Sequence, residues 1–115
     1  MYKGINQKKI EMKPQVVKGA LTFMLEELDR LSPQELHSGL RDIFGWPLTA
    51  KELYRSLGHL QDRNIISIIE NSDGTEYKIR KANYSELEAS QVRDIIATDV
   101  IFKRKFEQWR EKVFK

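Results

Sequence analysis

Apolar residues first recur at helical spacing with Val17, Leu21, Met24, Leu25, Leu28 and Leu31, which form one stripe. Pro14 suits the first turn of such a helix, where a missing N–H costs nothing. The spacing predicts a first helix from about Pro14 to Leu31. Ser32-Pro33-Gln34-Glu35 then reads as a capping box: the serine hydroxyl takes the amide three residues on, and the glutamate reaches back to the serine N–H. Leu31 and Leu36 stand where a hydrophobic staple needs them. The second helix carries Leu36, Leu40, Ile43 and Phe44 and ends near Gly45, with Pro47 blocking any continuation. The device repeats at Thr49-Ala50-Lys51-Glu52, with Leu48 and Leu53 as its staple. A third helix follows to about Arg63, with Leu53, Leu57 and Leu60 on one face.

After Asn64 the period changes. Ile65, Ile66, Ile68 and Ile69 form a β-branched run around Ser67, Asn71-Ser72-Asp73-Gly74 is a turn cluster, and Thr75 to Arg80 alternates with Tyr77 and Ile79 inward. This is a hairpin. Ser85-Glu86-Leu87-Glu88 opens a last helix that runs to near the C-terminus. In it Ile95, Asp99, Phe102, Phe106, Trp109 and Val113 recur at alternating steps of four and three, a heptad-like seam interrupted by Asp99. Such a seam is too apolar to leave in water, so it either pairs two copies or docks on the first helix, and Asp99 would fix register or meet a base.

Two capped helices around a short loop, then a hairpin, give the order of a winged helix-turn-helix. The resemblance is most specific from Leu53 to Ile66, LYRSLGHLQDRNII, which looks like the third-helix-into-wing stretch of many bacterial winged-helix regulators. Asn64 takes the place where glycine is commoner, and asparagine also tolerates the left-handed conformation needed there. One departure is the loop from Phe44 to Leu48, which is longer and more apolar than a tight turn; Trp46 is expected to plug the core beneath it. The expected fold is thus α+β and mostly helical, a winged helix with a two-stranded wing and an added long C-terminal helix. Residues 1–13 form a basic arm, 14–83 the winged helix-turn-helix domain, and 84–115 a helix for dimerisation or docking.

The resemblance implies DNA binding, with the third helix in the major groove and the wing on the backbone. With the leucines inward, Lys51, Tyr54, Arg55 and His59 lie on the open face. Arg55 can offer a bidentate fork to guanine, and Thr49 and Ser56 are short hydroxyls suited to phosphate. On the wing, Lys78 and Arg80 share one side of the strand. The expected partners are double-stranded DNA and a second copy of the chain.

Composition qualifies this picture without overturning it. The 115 residues are 40% hydrophobic and 32% charged, which suits one folded domain. There is no cysteine, so neither a disulfide framework nor a thiolate metal site is open to the chain. No apolar run approaches a membrane span and no leader is evident, so a cytoplasmic protein is expected. The net charge is only +3. Residues 1–15 hold Lys3, Lys8, Lys9 and Lys13 against Glu11, whereas residues 16–48 have more acids than bases. This mild balance keeps a second reading open: a winged-helix interaction adaptor, or a replication accessory protein of a phage or plasmid type assembly. Lys103-Arg104-Lys105 lies beside Glu107 and Glu111 and reads as a solvated face. His37 and His59 are far apart, no phosphate-cradling glycine loop occurs, and Glu26 and Glu27 are adjacent on a polar face. Neither an enzyme nor a cofactor is therefore expected.

Overall fold

The computed structural model describes residues 12–80 and 86–114. Over these residues the order is α1 (Pro14–Leu28), β1 (Arg30–Leu31), α2 (Pro33–Phe44), α3 (Ala50–Asp62), β2 (Ile66–Asn71), β3 (Gly74–Ile79), α4 (Glu86–Thr98) and α5 (Val100–Val113). The arm lysines Lys3, Lys8 and Lys9, and the Ser85 cap, lie outside the described residues.

Both capping boxes are closed. The Ser32 hydroxyl accepts from the Glu35 N–H at 3.1 Å, and the Ser32 N–H donates to Glu35 Oε1 at 2.8 Å. At α3 the Glu52 N–H donates to Thr49 Oγ1 at 3.1 Å and the Thr49 N–H to Glu52 Oε1 at 2.9 Å. Each closed box satisfies amides that helix geometry leaves without partners. The far end of α3 is fixed as firmly. Asn64 is left-handed at φ 62°, Ile65 N–H bonds Leu60 O at 2.9 Å and Asn64 N–H bonds Gln61 O at 2.9 Å, the two bonds of a Schellman motif. At the end of α2, Gly45 adopts φ 71°, a conformation that costs glycine little.

Helix α1 stops earlier than its leucine spacing predicts. Asp29 turns the chain at φ 71° and ψ −62°, a γ-turn conformation that is rare for any residue but glycine. Arg30 and Leu31 are then extended and pair antiparallel with Lys78 and Tyr77 of β3. The sheet is therefore three-stranded, in the order β1-β3-β2, and the hairpin turns at Ser72-Asp73, where the Asn71 side chain accepts from the Asp73 N–H. The fold is α+β and mostly helical, and helix, strand, two helices and a hairpin in this order are compatible with the expected winged helix-turn-helix.

The terminal segment differs from expectation. It is two helices, and Asp99 is the break: its carboxylate caps α5 by accepting from Ile101 N–H at 3.0 Å and Phe102 N–H at 3.3 Å. The single long helix and the register role of Asp99 are thus both corrected by local capping chemistry. The seam docks on its own chain. Helix α4 packs on α1, and α5 packs on α2. Phe102, Phe106 and Trp109 are buried, with Ile95 and Val113 packed against the same core. Phe106 meets Phe23 of α1 at 5.2 Å between ring centres. With α4 behind it, α1 is buried on nearly every side from Gly19 to Leu25, not along one stripe. Trp46 plugs the core as expected and stacks on Phe44 at 4.5 Å.

Two contacts hold α2 in place between its neighbours. The His37 Nε2 is hydrogen-bonded to the Leu48 carbonyl, which ties α2 to the turn before α3. On the other side Trp109 Nε1–H donates to Ser38 Oγ at 3.0 Å. That approach depends on Gly39: a Cβ there would sit 2.5 Å from Met24 Sδ and 2.9 Å from the Trp109 ring.

Candidate nucleic-acid interface

Three buried leucines set the orientation of α3. Leu53, Leu57 and Leu60 are each no more than 2% exposed, so the opposite face is turned to solvent. Lys51 and Arg55, one turn apart, lie on that open face and are exposed. Among the described residues neither they nor Arg63, Lys78 or Arg80 takes part in a salt bridge.

The other expected contacts are divided among three places. Tyr54 is half-exposed on the flank of α3 toward the sheet, near enough to Tyr77 to reinforce, after burial, the upward shift of that phenol. Ser56 and His59 turn the other way, into a groove that α3 forms with the start of α1, and Arg55 borders it as well. Thr49 is committed to its own cap: its hydroxyl accepts from Glu52 N–H and donates to Glu52 Oε1 at 3.1 Å, so it has no proton left for a phosphate.

Glu52 also alters the electrostatics of the helix start. Hydrogen bonds from the Thr49 backbone and side chain hold its carboxyl below the usual range, so it is ionised at neutral pH. A carboxylate in the first turn offsets the positive end of α3 that would otherwise attract an anion. The cations that matter on this helix are therefore side chains, not the helix terminus.

On the sheet, Lys78 lies between Arg30 of β1 and Ser67 of β2 in a single cross-strand row. Arg80 follows two residues on, and its N–H bonds the Ile65 carbonyl at 2.7 Å. Like charges directly opposite one another weaken a strand pair, a cost that Arg30 partly meets through Glu76 at 3.9 Å. Arg30 was not visible as part of this surface from sequence, because nothing local marks a two-residue strand. The tip of the wing has the reverse sign: Glu70 and Asp73 are both exposed there.

Among the described residues no group of His, Cys, Asp and Glu is placed to hold a metal ion, and no helix is long and apolar enough to cross a membrane. No family model, curated protein or solved structure matches the chain.

Proposed function

We propose that the chain is a sequence-specific double-stranded DNA-binding protein, a transcriptional regulator that places α3 in the major groove. One observation carries this reading. Lys51 and Arg55 stand one turn apart on the open face of a helix locked at both ends, and no salt bridge among the described residues engages them. Arg55 is the base reader, a planar fork matched to guanine O6 and N7. Lys51 lies nearer the helix start and contacts the adjoining base or phosphate. The acidic tip keeps the end of the wing away from phosphate, so the wing contributes through Lys78 and Arg80 at its root. Of the two roles expected of the seam, pairing of copies or docking, it is used for docking within one chain, so this reading needs no second copy at that seam.

Selection of binding sites from a random DNA pool, followed by titration of variants, tests the proposal. Arg55→Ala costs about 1–3 kcal/mol at the selected site and relaxes base preference there. Lys78→Ala and Arg80→Ala weaken all sequences about equally, and each flattens the slope of log K against log salt by about one. If nothing is enriched, and DNA affinity at low salt is the same in all three variants, the reading fails. A winged-helix interaction adaptor is the second reading, favoured by the acidic wing tip at Glu70 and Asp73. There Lys51 and Arg55 would meet an acidic protein surface.

A further inference from the structure

We propose that the groove between the start of α1 and α3 binds a small organic anion that carries an apolar ring. The groove encloses about 210 Å³. That is below the usual range for drug-sized ligands, so it suits a single ring with one charged group. Its floor is apolar: Val17 of α1 and Leu48 before α3 line it, and both are buried. Its rim brings Lys18 of α1 together with Arg55 and His59 of α3. Lys18 is half-buried and, among the described residues, takes part in no salt bridge. Glu52 also lines the groove and is the charged neighbour of Arg55, and its carboxylate works against an anion there. Its Oε1 is bonded to the Thr49 amide and hydroxyl, so the attraction must come from Lys18 and Arg55 together.

An apolar floor under convergent cations rewards a ligand that supplies both parts. The ring displaces water from Val17 and Leu48, while the anion is held from two helices at once. An occupant would also bridge α1 and α3 and cover the edge of Arg55. If α3 reads DNA, ligand and DNA therefore compete for that side chain; the site itself does not depend on the DNA reading.

Phenyl phosphate titrated into the full chain, followed by amide NMR, tests the site. Inorganic phosphate and benzyl alcohol each supply one half of the probe. The expected result is saturable shifts confined to residues 12–18 and 48–59, with either half-probe weaker by roughly five-fold or more. Lys18→Ala and Arg55→Gln each weaken phenyl phosphate by a similar factor while melting within a degree or two of the parent. Scattered or absent shifts overturn the proposal, as does unchanged binding in both variants. Inorganic phosphate binding as tightly as phenyl phosphate overturns it too, because the groove would then be a plain anion contact such as a DNA backbone makes. Measuring DNA affinity on the same samples separates the two readings. Ligand binding without DNA binding removes the regulator and leaves the groove site; DNA binding without ligand binding does the reverse.

Discussion

Helices α3 and α5 are alike on paper. They have 13 and 14 residues, mixed charges and a polar N-cap, yet they are used in opposite ways. Helix α5 buries two phenylalanines and a tryptophan, and on its flank Lys112 reaches Asp42 of α2 at 2.7 Å. Helix α3 buries three leucines and spends neither Lys51 nor Arg55 on a salt bridge among the described residues. On α5 Lys103, Arg104, Lys105 and Arg110 are likewise in none, so Lys112 alone marks the difference in ion pairing. Both helices are capped at the start, α5 by Asp99 and α3 by its closed box, but α3 buries smaller side chains and is also closed at its far end by a Schellman motif. A helix held by its termini can leave a whole face uncommitted. That separates a strut from a surface, and the formal charges of the two helices do not reveal it.

The strut side of the comparison breaks most easily at Trp109. Trp109→Ala removes a ring that is 1% exposed and leaves Ser38 without its donor. The expected cost is about 3–5 kcal/mol, read from urea or thermal unfolding. Gly39→Ala attacks the same contact from α2 by forcing the backbone away from the indole, and about 1–3 kcal/mol should be lost as overpacking. Amide shifts on α5 should accompany that loss and shifts on α3 should not.

The surface side breaks at a cap. Thr49→Ala opens the box at α3 and is expected to cost about 1 kcal/mol. If α3 reads DNA as proposed, the same change should weaken DNA binding by loosening the turn that carries Lys51; Thr49→Ser should restore the stability and, on that reading, the binding. The smallest effect belongs to the Asp42–Lys112 pair. Lys112 lowers the Asp42 carboxyl below its ordinary value, and Arg41 adds to this. Because the folded value is the lower one, the contribution is complete above the unfolded value near ~3.9 and is lost as pH falls through the folded value. Lys112 is largely exposed, so Asp42→Asn should cost well under about 1 kcal/mol at neutral pH. Unfolding curves of the variant and the parent should converge in acid.

What could be read from sequence was local. Both capping boxes, the turn at Ser72-Asp73, the leucine face of α3 and the left-handed Asn64 each depend on residues within a few positions of one another. What the sequence does not show locally is of two kinds. Strand β1, the hydrogen bond from His37 to Leu48 and the space left by Gly39 all depend on partners far along the chain. Asp99 is of the other kind: its spacing fits a seam, but a short acidic side chain just before Val100, Ile101 and Phe102 is also an N-cap, and capping prevails. For the candidate site, the open face with Lys51 and Arg55 followed from the leucine stripe alone. The division of Ser56, His59 and Tyr54 between groove and sheet did not, because it depends on where α1 and β3 lie.

The side-chain contacts that secure the C-terminal pair of helices span long stretches of chain. Arg93 pairs with Glu26 across 67 positions, Lys112 with Asp42 across 70, and Trp109 with Ser38 across 71. During synthesis α1, α2, α3 and the wing are all made before α4 and α5 exist. Throughout that interval the faces of α1 and α2 that those helices later cover, Phe23 among them, have no intramolecular lid. Contacts closed over such separations form slowly compared with a helix or a two-residue hairpin. The nascent chain is therefore expected to pass through a stage in which the outward face of α3 is already native while the back of α1 is still wet. Chaperone capture and aggregation should act on that back surface, and a change that slows α5 docking should lower the yield of folded protein more than its equilibrium stability would suggest.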